Sequence, residues 1–175
     1  MQIRVAVPED ALRVAKVHIR TWQIAYRDLL PEAFLDGLNI EERAKRYTFG
    51  NLDVHNPQTF LALEGKQVLG FATVGKGRDD DLPGQGELLA LYVDPDWWNK
   101  GIGLALIETA RLRLRLLGYT QAYLWMLKGN ERARRFYERD GWQIDGAERA
   151  NQSFDVSIEE RRMVRALESS RYDLP

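Results

Sequence analysis

The sequence predicts a single α/β (α+β) domain: one mixed, mostly antiparallel twisted sheet of about seven strands, flanked by about four helices. Two observations carry this. Strand-like runs over 59–63, 68–74 and 88–93 follow one another with no helical segment between them. Parallel neighbours need a long crossover, so these runs must pair antiparallel. The helical run over 104–117 then separates the strand at 88–93 from another at 122–127, which allows one parallel pair.

Each element has its own warrant. Ile3, Val5 and Val7 alternate with Arg4 and Ala6, the period of a half-buried strand. Pro8-Glu9-Asp10 starts a helix, in which Ala11, Val14, His18, Trp22, Ala25 and Leu29 recur at helical spacing until Pro31. A second, weakly patterned helix is expected over 40–47. The runs 59–63 and 68–74 are rich in β-formers, and Glu64-Gly65-Lys66-Gln67 between them makes a hairpin turn. The glycine-rich stretch 75–86, with Asp79-Asp80-Asp81 and Pro83, reads as a mobile polar connection. Its acidic run reads as a solvated face, with attraction of a cationic amine as the sharper alternative.

The apolar run 88–93, between Glu87 and Asp94-Pro95, is a central strand. Leu104, Ile107, Ala110, Leu114 and Leu117 form one face of a helix that Gly118 ends. After the strand at 122–127, Asn130 caps a helix that Gly141 stops. Two further strands are expected around Gly146. The domain spans 1–167, and 168–175 is a frayed tail.

Composition bounds the chemistry. The 175 residues carry a formal net charge of -1, which gives no reason to expect nucleic acid or an anionic membrane as partner. There is no cysteine, so disulfides, thiolate metal sites and thiol nucleophiles are excluded. His18 and His55 have no partner pattern, and neither a metal site nor a triad is expected. Met1-Gln2-Ile3-Arg4-Val5 begins as a strand and not as a leader, and no apolar run approaches the ~20 residues of a membrane span. A cytoplasmic location is the expectation.

The loop Trp98-Asn99-Lys100-Gly101-Ile102-Gly103 joins the central strand to the helix that Leu104 opens. Glycines let its backbone turn sharply, and the helix start adds free N–H donors, the positive dipole end and the nearby charge of Lys100. This is an anion site suited to a pyrophosphate. A nucleotide triphosphate loop would need Gly-Lys followed by Ser or Thr, and Lys100-Gly101-Ile102 offers none. A dinucleotide fold would need glycine at Leu106 and an acid near 122–124, and has neither. The loop alone leaves open the plainer reading that its glycines only make a turn.

A second motif follows the next strand: Asn130, Ala133, Tyr137 and Gly141-Trp142. Together with Leu91-Tyr92-Val93-Asp94-Pro95 and Gly101-Ile102-Gly103, it resembles the GNAT acetyltransferase superfamily, over roughly 59–142. The resemblance implies a splayed pair of parallel central strands, with acetyl-CoA as co-substrate lying between them. Leu91, Tyr92 and Val93 would bind the pantetheine arm through the strand backbone. The amides of 98–104, Leu104 included, would hold the pyrophosphate. Asn130 would contact the pantetheine as well as cap its helix. Phe136 would contact the cofactor, and Tyr137 would lie near the thioester sulfur.

One departure concerns Trp98 and Asn99, which stand where the superfamily usually has Arg or Gln followed by Gly. A shifted frame, with Lys100, Gly103 and Ala105 in the pattern, also fits.

By the same resemblance, Tyr137 is the acid for the leaving thiolate; its alternative is a core aromatic. Glu87 is a candidate base, with a solvated strand end as its alternative. Trp22, Tyr26, Trp125 and Phe154 are candidate walls for a small-molecule or peptide amine, although packing explains them equally well. The implied activity is acetyl transfer to a primary amine in a ternary complex. The rivals are a longer acyl group, a protein N-terminus or lysine as acceptor, or a non-catalytic acyl-CoA sensor. Homodimers are common in the superfamily.

Overall fold

One sheet runs in the order β1-β2-β3-β4-β5-β7-β6 in the computed structural model, which describes residues 1–51, 53, 56–151 and 156–167. The strands are β1 (Gln2–Val5), β2 (Gln58–Glu64), β3 (Gln67–Lys76), β4 (Gly86–Val93), β5 (Gln121–Leu127), β6 (Gln143–Asn151) and β7 (Ile158–Ala166). Every neighbouring pair is antiparallel except β4 with β5. The expected tail at 168–175 lies outside the described residues.

The period of two in the strands divides the core between two helical layers. Leu61 and Leu63 of β2 pack with Val14 and Val17 of α1 (Ala11–Ala25), while Ala62 between them packs on the opposite face. That opposite core belongs to α4 (Ile102–Leu116), through Leu106, Ile107, Ala110 and Leu114, and to α5 (Glu131–Arg139) through Tyr137. Two short helices, α2 (Glu32–Asp36) and α3 (Ile40–Ala44), join α1 on its side.

The feature that makes a site is a separation within the sheet. The parallel ladder between β4 and β5 has only the rungs Gly86↔Ala122 and Glu87↔Tyr123. Immediately beyond, the register of β4 against β3 slips: Val74 opposes Leu88 and Thr73 opposes Ala90, so Leu89 is a bulge. The bulge bends β4 away while β5 continues in register with β7 from Gln121↔Ala166 to Leu127↔Glu160. The rest of β4 therefore presents an edge without a β5 partner, the splayed pair anticipated from the sequence.

Several expectations are corrected. The first helix opens with a 3-10 turn over Pro8–Asp10 and ends at Ala25, leaving Leu29 outside it and partly exposed. The short α2 was not anticipated, and α3 stops at Ala44. Five residues give too little length for a helical period to show. Gly146, at φ 96, does not separate two strands; it sits in a bulge of β6, between the paired residues Ile144 and Glu148.

The connection after β3 is neither loose nor merely solvated. Tyr123 accepts hydrogen bonds from the backbone N–H of Arg78 and Asp79. Arg162 of β7 is nearly buried and donates to Asp79, Asp81 and Asp145 at 2.7–2.9 Å. A buried guanidinium needs anions around it, and here the acidic run supplies two of them.

Candidate active site

The free edge of β4 leads to the loop ahead of α4. Asn99 has φ 59, the single positive value among the described non-glycine residues, and Gly101, at φ 81, is the N-cap of α4. Two left-handed residues flanking Lys100 gather backbone N–H groups into an anion-binding concavity. The first intrahelical bond is Ala105 N–H to the Gly101 carbonyl at 3.1 Å, so the amides of Ile102, Gly103 and Leu104 precede the ladder and stay available. Leu104 itself is an exposed side chain.

Trp98 is fixed by its indole N–H, which donates to the Val93 carbonyl at 2.8 Å. Thr21 shares that acceptor at 3.2 Å, so this carbonyl is already occupied. The Lys100 Nζ lies over the Trp97 ring, 4.6 Å from its centre. A Cβ on Gly103 would come within 3.2 Å of the Phe136 ring, so the loop and α5 are in close contact there.

Asn130 is the N-cap of α5, its side chain accepting from Ala133 N–H at 3.1 Å. Seven residues on, Tyr137 is buried against Phe136 and Trp142 on the α4 side of the sheet. Tyr92 of the α1-side layer nevertheless lies within its electrostatic reach. Burial, and then the neighbouring Tyr92, push the Tyr137 phenol above the ordinary tyrosine range, so it stays protonated.

Glu87 is not at a solvated strand end. It is 2% exposed, and Arg78 donates Nε and Nη2 to its two oxygens at 2.9 and 2.7 Å. The Tyr123 hydroxyl adds a longer bond at 3.3 Å. β4 must bury this position under the connecting strap, and the strap brings its own cation; nothing local in the sequence links Arg78 to Glu87.

On the α1 side, the structure brings Trp22 and Tyr26 together with Tyr92 but places Trp125 elsewhere. The Trp22 ring lies tilted against Tyr26 at 5.2 Å and His18 at 5.3 Å, and its buried indole N–H has no acceptor among the described residues. Tyr26 is a packed core residue with Leu35 and Leu127. Trp125 donates to Asp79 at 3.0 Å and lies under the Arg149 guanidinium, so it belongs to the Arg162 cluster. Phe154 and His55 lie outside the described residues.

His18, without a partner pattern in the sequence, has one in space. Its Nδ1 shares a 2.8 Å hydrogen bond with the Tyr47 hydroxyl, and burial keeps the ring neutral. A cavity of about 350 Å³ opens beside His18 and Trp22, walled by Phe34 and Leu38, with Glu42 and Arg43 also lining it.

The profile of the Acetyltransferase (GNAT) family matches residues 20–142, a span that runs from α1 through the strand gap and the loop to Trp142. The chain belongs to the GNAT family. A curated relative, the uncharacterized N-acetyltransferase YuaI of Bacillus subtilis, is 30% identical over 129 residues, covering 73% of this chain and 72% of its own. Among solved structures, the PaiA N-acetyltransferase of Thermoplasma acidophilum in complex with coenzyme A superposes with a TM-score of 0.74. It is 20% identical and covers 95% of this chain and 99% of its own. YncA of Salmonella typhimurium, solved with acetyl-CoA, gives a TM-score of 0.70 at 18% identity, covering 97% of this chain and 95% of its own.

These superpositions establish a GNAT fold for the chain. No helix among the described residues of this GNAT chain is long and apolar enough to cross a membrane.

Proposed function

We propose that this GNAT chain transfers an acetyl group from acetyl-CoA directly to a primary amine. The observation that carries the reading is one continuous slot. The unpartnered edge of β4 has a backbone anion cradle at its Val93 end, and the buried Tyr137 phenol lies within electrostatic reach of Tyr92 on the same strand. A pantetheine arm needs an extended hydrogen-bonding edge, a diphosphate needs clustered amides, and a departing thiolate needs an acid. The slot supplies all three. Leu91 and Val93 contribute backbone to the arm, and the amides of Gly101 to Leu104 face the diphosphate. The left-handed N-cap at Gly101 favours the frame that starts at Trp98, because in the shifted frame the glycine at 103 falls inside the helix.

In the transfer step, the neutral amine nitrogen attacks the thioester carbon and the carbon–sulfur bond breaks. The Tyr137 hydroxyl gives its proton to the leaving sulfur, the amine's surplus proton passes to water, and the tyrosinate regains a proton from that water to close the cycle. Glu87 holds the strap and does not serve as base. Both its oxygens are engaged by Arg78, and it stands five positions before Tyr92, about 17 Å along a strand.

The cavity beside Trp22 and His18 supports a small amine with an apolar body as acceptor. The test is release of free thiol from acetyl-CoA across a panel of small amines, N-terminal peptides and lysine peptides, repeated with longer acyl-CoAs. Stimulation by a small amine supports the reading, and stimulation only by peptides moves the acceptor class. Tight acetyl-CoA binding with no stimulation by any amine would make the chain a sensor.

A further inference from the structure

Two cations flank the start of α4, and they are not equivalent. Lys100 rests near Trp97 and within the field of Asp96, whose carboxyl is held down by Arg20 first and by Lys100 in addition. Arg132, in the first turn of α5, has its guanidinium carbon 3.2 Å from the centre of the Trp98 ring. That ring cannot drift, because its N–H is bonded to the Val93 carbonyl at 2.8 Å.

Arg132 also differs from its neighbour on the helix. Arg134 is matched to Glu131 and Glu138, whereas no ion pair forms at Arg132 among the described residues. A guanidinium lying over an indole uses its π face and keeps its N–H donors in the plane, pointing outward. The result is a positioned, unneutralised donor fork beside a loop built to receive an anion.

We propose that Arg132, delivered by α5 and held on Trp98, binds a phosphate group of acetyl-CoA in place of the basic side chain that the loop lacks at position 98. A guanidinium fork suits phosphate oxygens better than a point charge does. The inference rests on the functional reading above. It adds that coenzyme affinity depends on a side chain from the second motif, reaching back to the first. The phosphate is one of the diphosphate pair or the ribose 3′-phosphate, which share the same chemistry.

Calorimetric titration of coenzyme A and of dephospho-coenzyme A into wild type and R132A, at several salt concentrations, tests this. R132A should bind coenzyme A roughly 10- to 100-fold more weakly, as expected for loss of one charge-assisted contact. Its affinity should also fall less steeply with added salt. Equal loss for both ligands assigns the diphosphate, and loss confined to coenzyme A assigns the 3′-phosphate; either supports the proposal. Unchanged affinity, or a loss with an unchanged salt dependence, overturns it. A wild-type chain that binds neither ligand would instead overturn the functional reading itself. R132A also gives up its contact with the Trp98 ring, so a small drop in unfolding temperature is expected, with the folded state still fully populated at the titration temperature.

Discussion

Glu87 and Tyr123 form the last rung of the parallel ladder between β4 and β5. The same two side chains meet through a hydrogen bond beneath the strap that carries Arg78. The place where the sheet opens is therefore clamped by the polar cluster just before it. A fixed last rung keeps the slot beyond it at constant width.

If Glu87 is a clamp, Glu87→Gln should show itself in stability and not in chemistry. The amide leaves Arg78 with one good acceptor and buries a donor beside it, which costs about 1–3 kcal/mol. Urea denaturation should register that loss while kcat, measured below the transition, stays within about tenfold of wild type. A base would behave the other way, with kcat down by about 10²-fold or more and the unfolding midpoint unmoved.

Tyr137→Phe keeps the packing against Phe136 and Trp142 and removes only the proton donor. Turnover should fall by about 10²- to 10⁴-fold, the usual worth of general acid catalysis, with acetyl-CoA affinity unchanged. The sign of the pKa shift makes a second prediction. Burial raises this phenol, so its acid form persists as pH rises past the ordinary tyrosine value of about 10. The pH–rate profile of wild type should show no alkaline limb from Tyr137 below that pH, only the rise from deprotonation of the amine.

Much of this was legible because it is local. The apolar run of β4, the glycines before α4, and Asn130 and Gly141 at the ends of α5 each leave a signature within a few residues. What escaped depends on distance or brevity. Arg162 finds Asp79 and Asp81 across nearly half the chain, and the acids alone look like an ordinary solvated run. Arg78 and Glu87 are close in sequence, but a carboxylate at a strand end gives no hint that a strap will fold over it. The stack of Arg132 on Trp98 joins two motifs that sequence reading treats separately. It turns a residue that looked like a defect in the loop into a platform.

The two loop glycines should fail differently. Gly101 needs φ 81 but has open space around it. Gly101→Ala should therefore cost about 1–2 kcal/mol in backbone strain and weaken coenzyme binding by misdirecting the amides. Gly103 is the reverse: its backbone is ordinary helix, and a side chain would meet Phe136 at 3.2 Å. Gly103→Val should push α5 outward and lower both stability and affinity, and pairing it with Phe136→Ala should restore part of each. Additive effects in that double variant would show that the contact is not the cause.

The first turn provides a pH test far from the site. Asp10 is buried, accepts from Arg4 and from Val7 N–H, and pairs with Arg13. Its carboxyl is held down to about 2, chiefly by the hydrogen bond from Arg4. A depressed carboxyl stabilises the fold fully above its unfolded value of about 3.9, and the benefit disappears as pH falls through the folded value. Wild type should therefore exceed Asp10→Asn by about 2 kcal/mol near pH 6, with the difference shrinking as pH falls from 4 to 2. A difference that does not depend on pH would assign Asp10 a packing role.

The central claim is that the parted strands receive the coenzyme with its sulfur at Tyr137. A crystal structure of the chain with coenzyme A tests it most directly. The account predicts the pantetheine arm along β4 between Leu91 and Val93, the diphosphate on the amides of Gly101 to Leu104, and the sulfur within hydrogen-bond reach of the Tyr137 hydroxyl. Coenzyme density outside the gap between β4 and β5, or a sulfur remote from Tyr137, would contradict it.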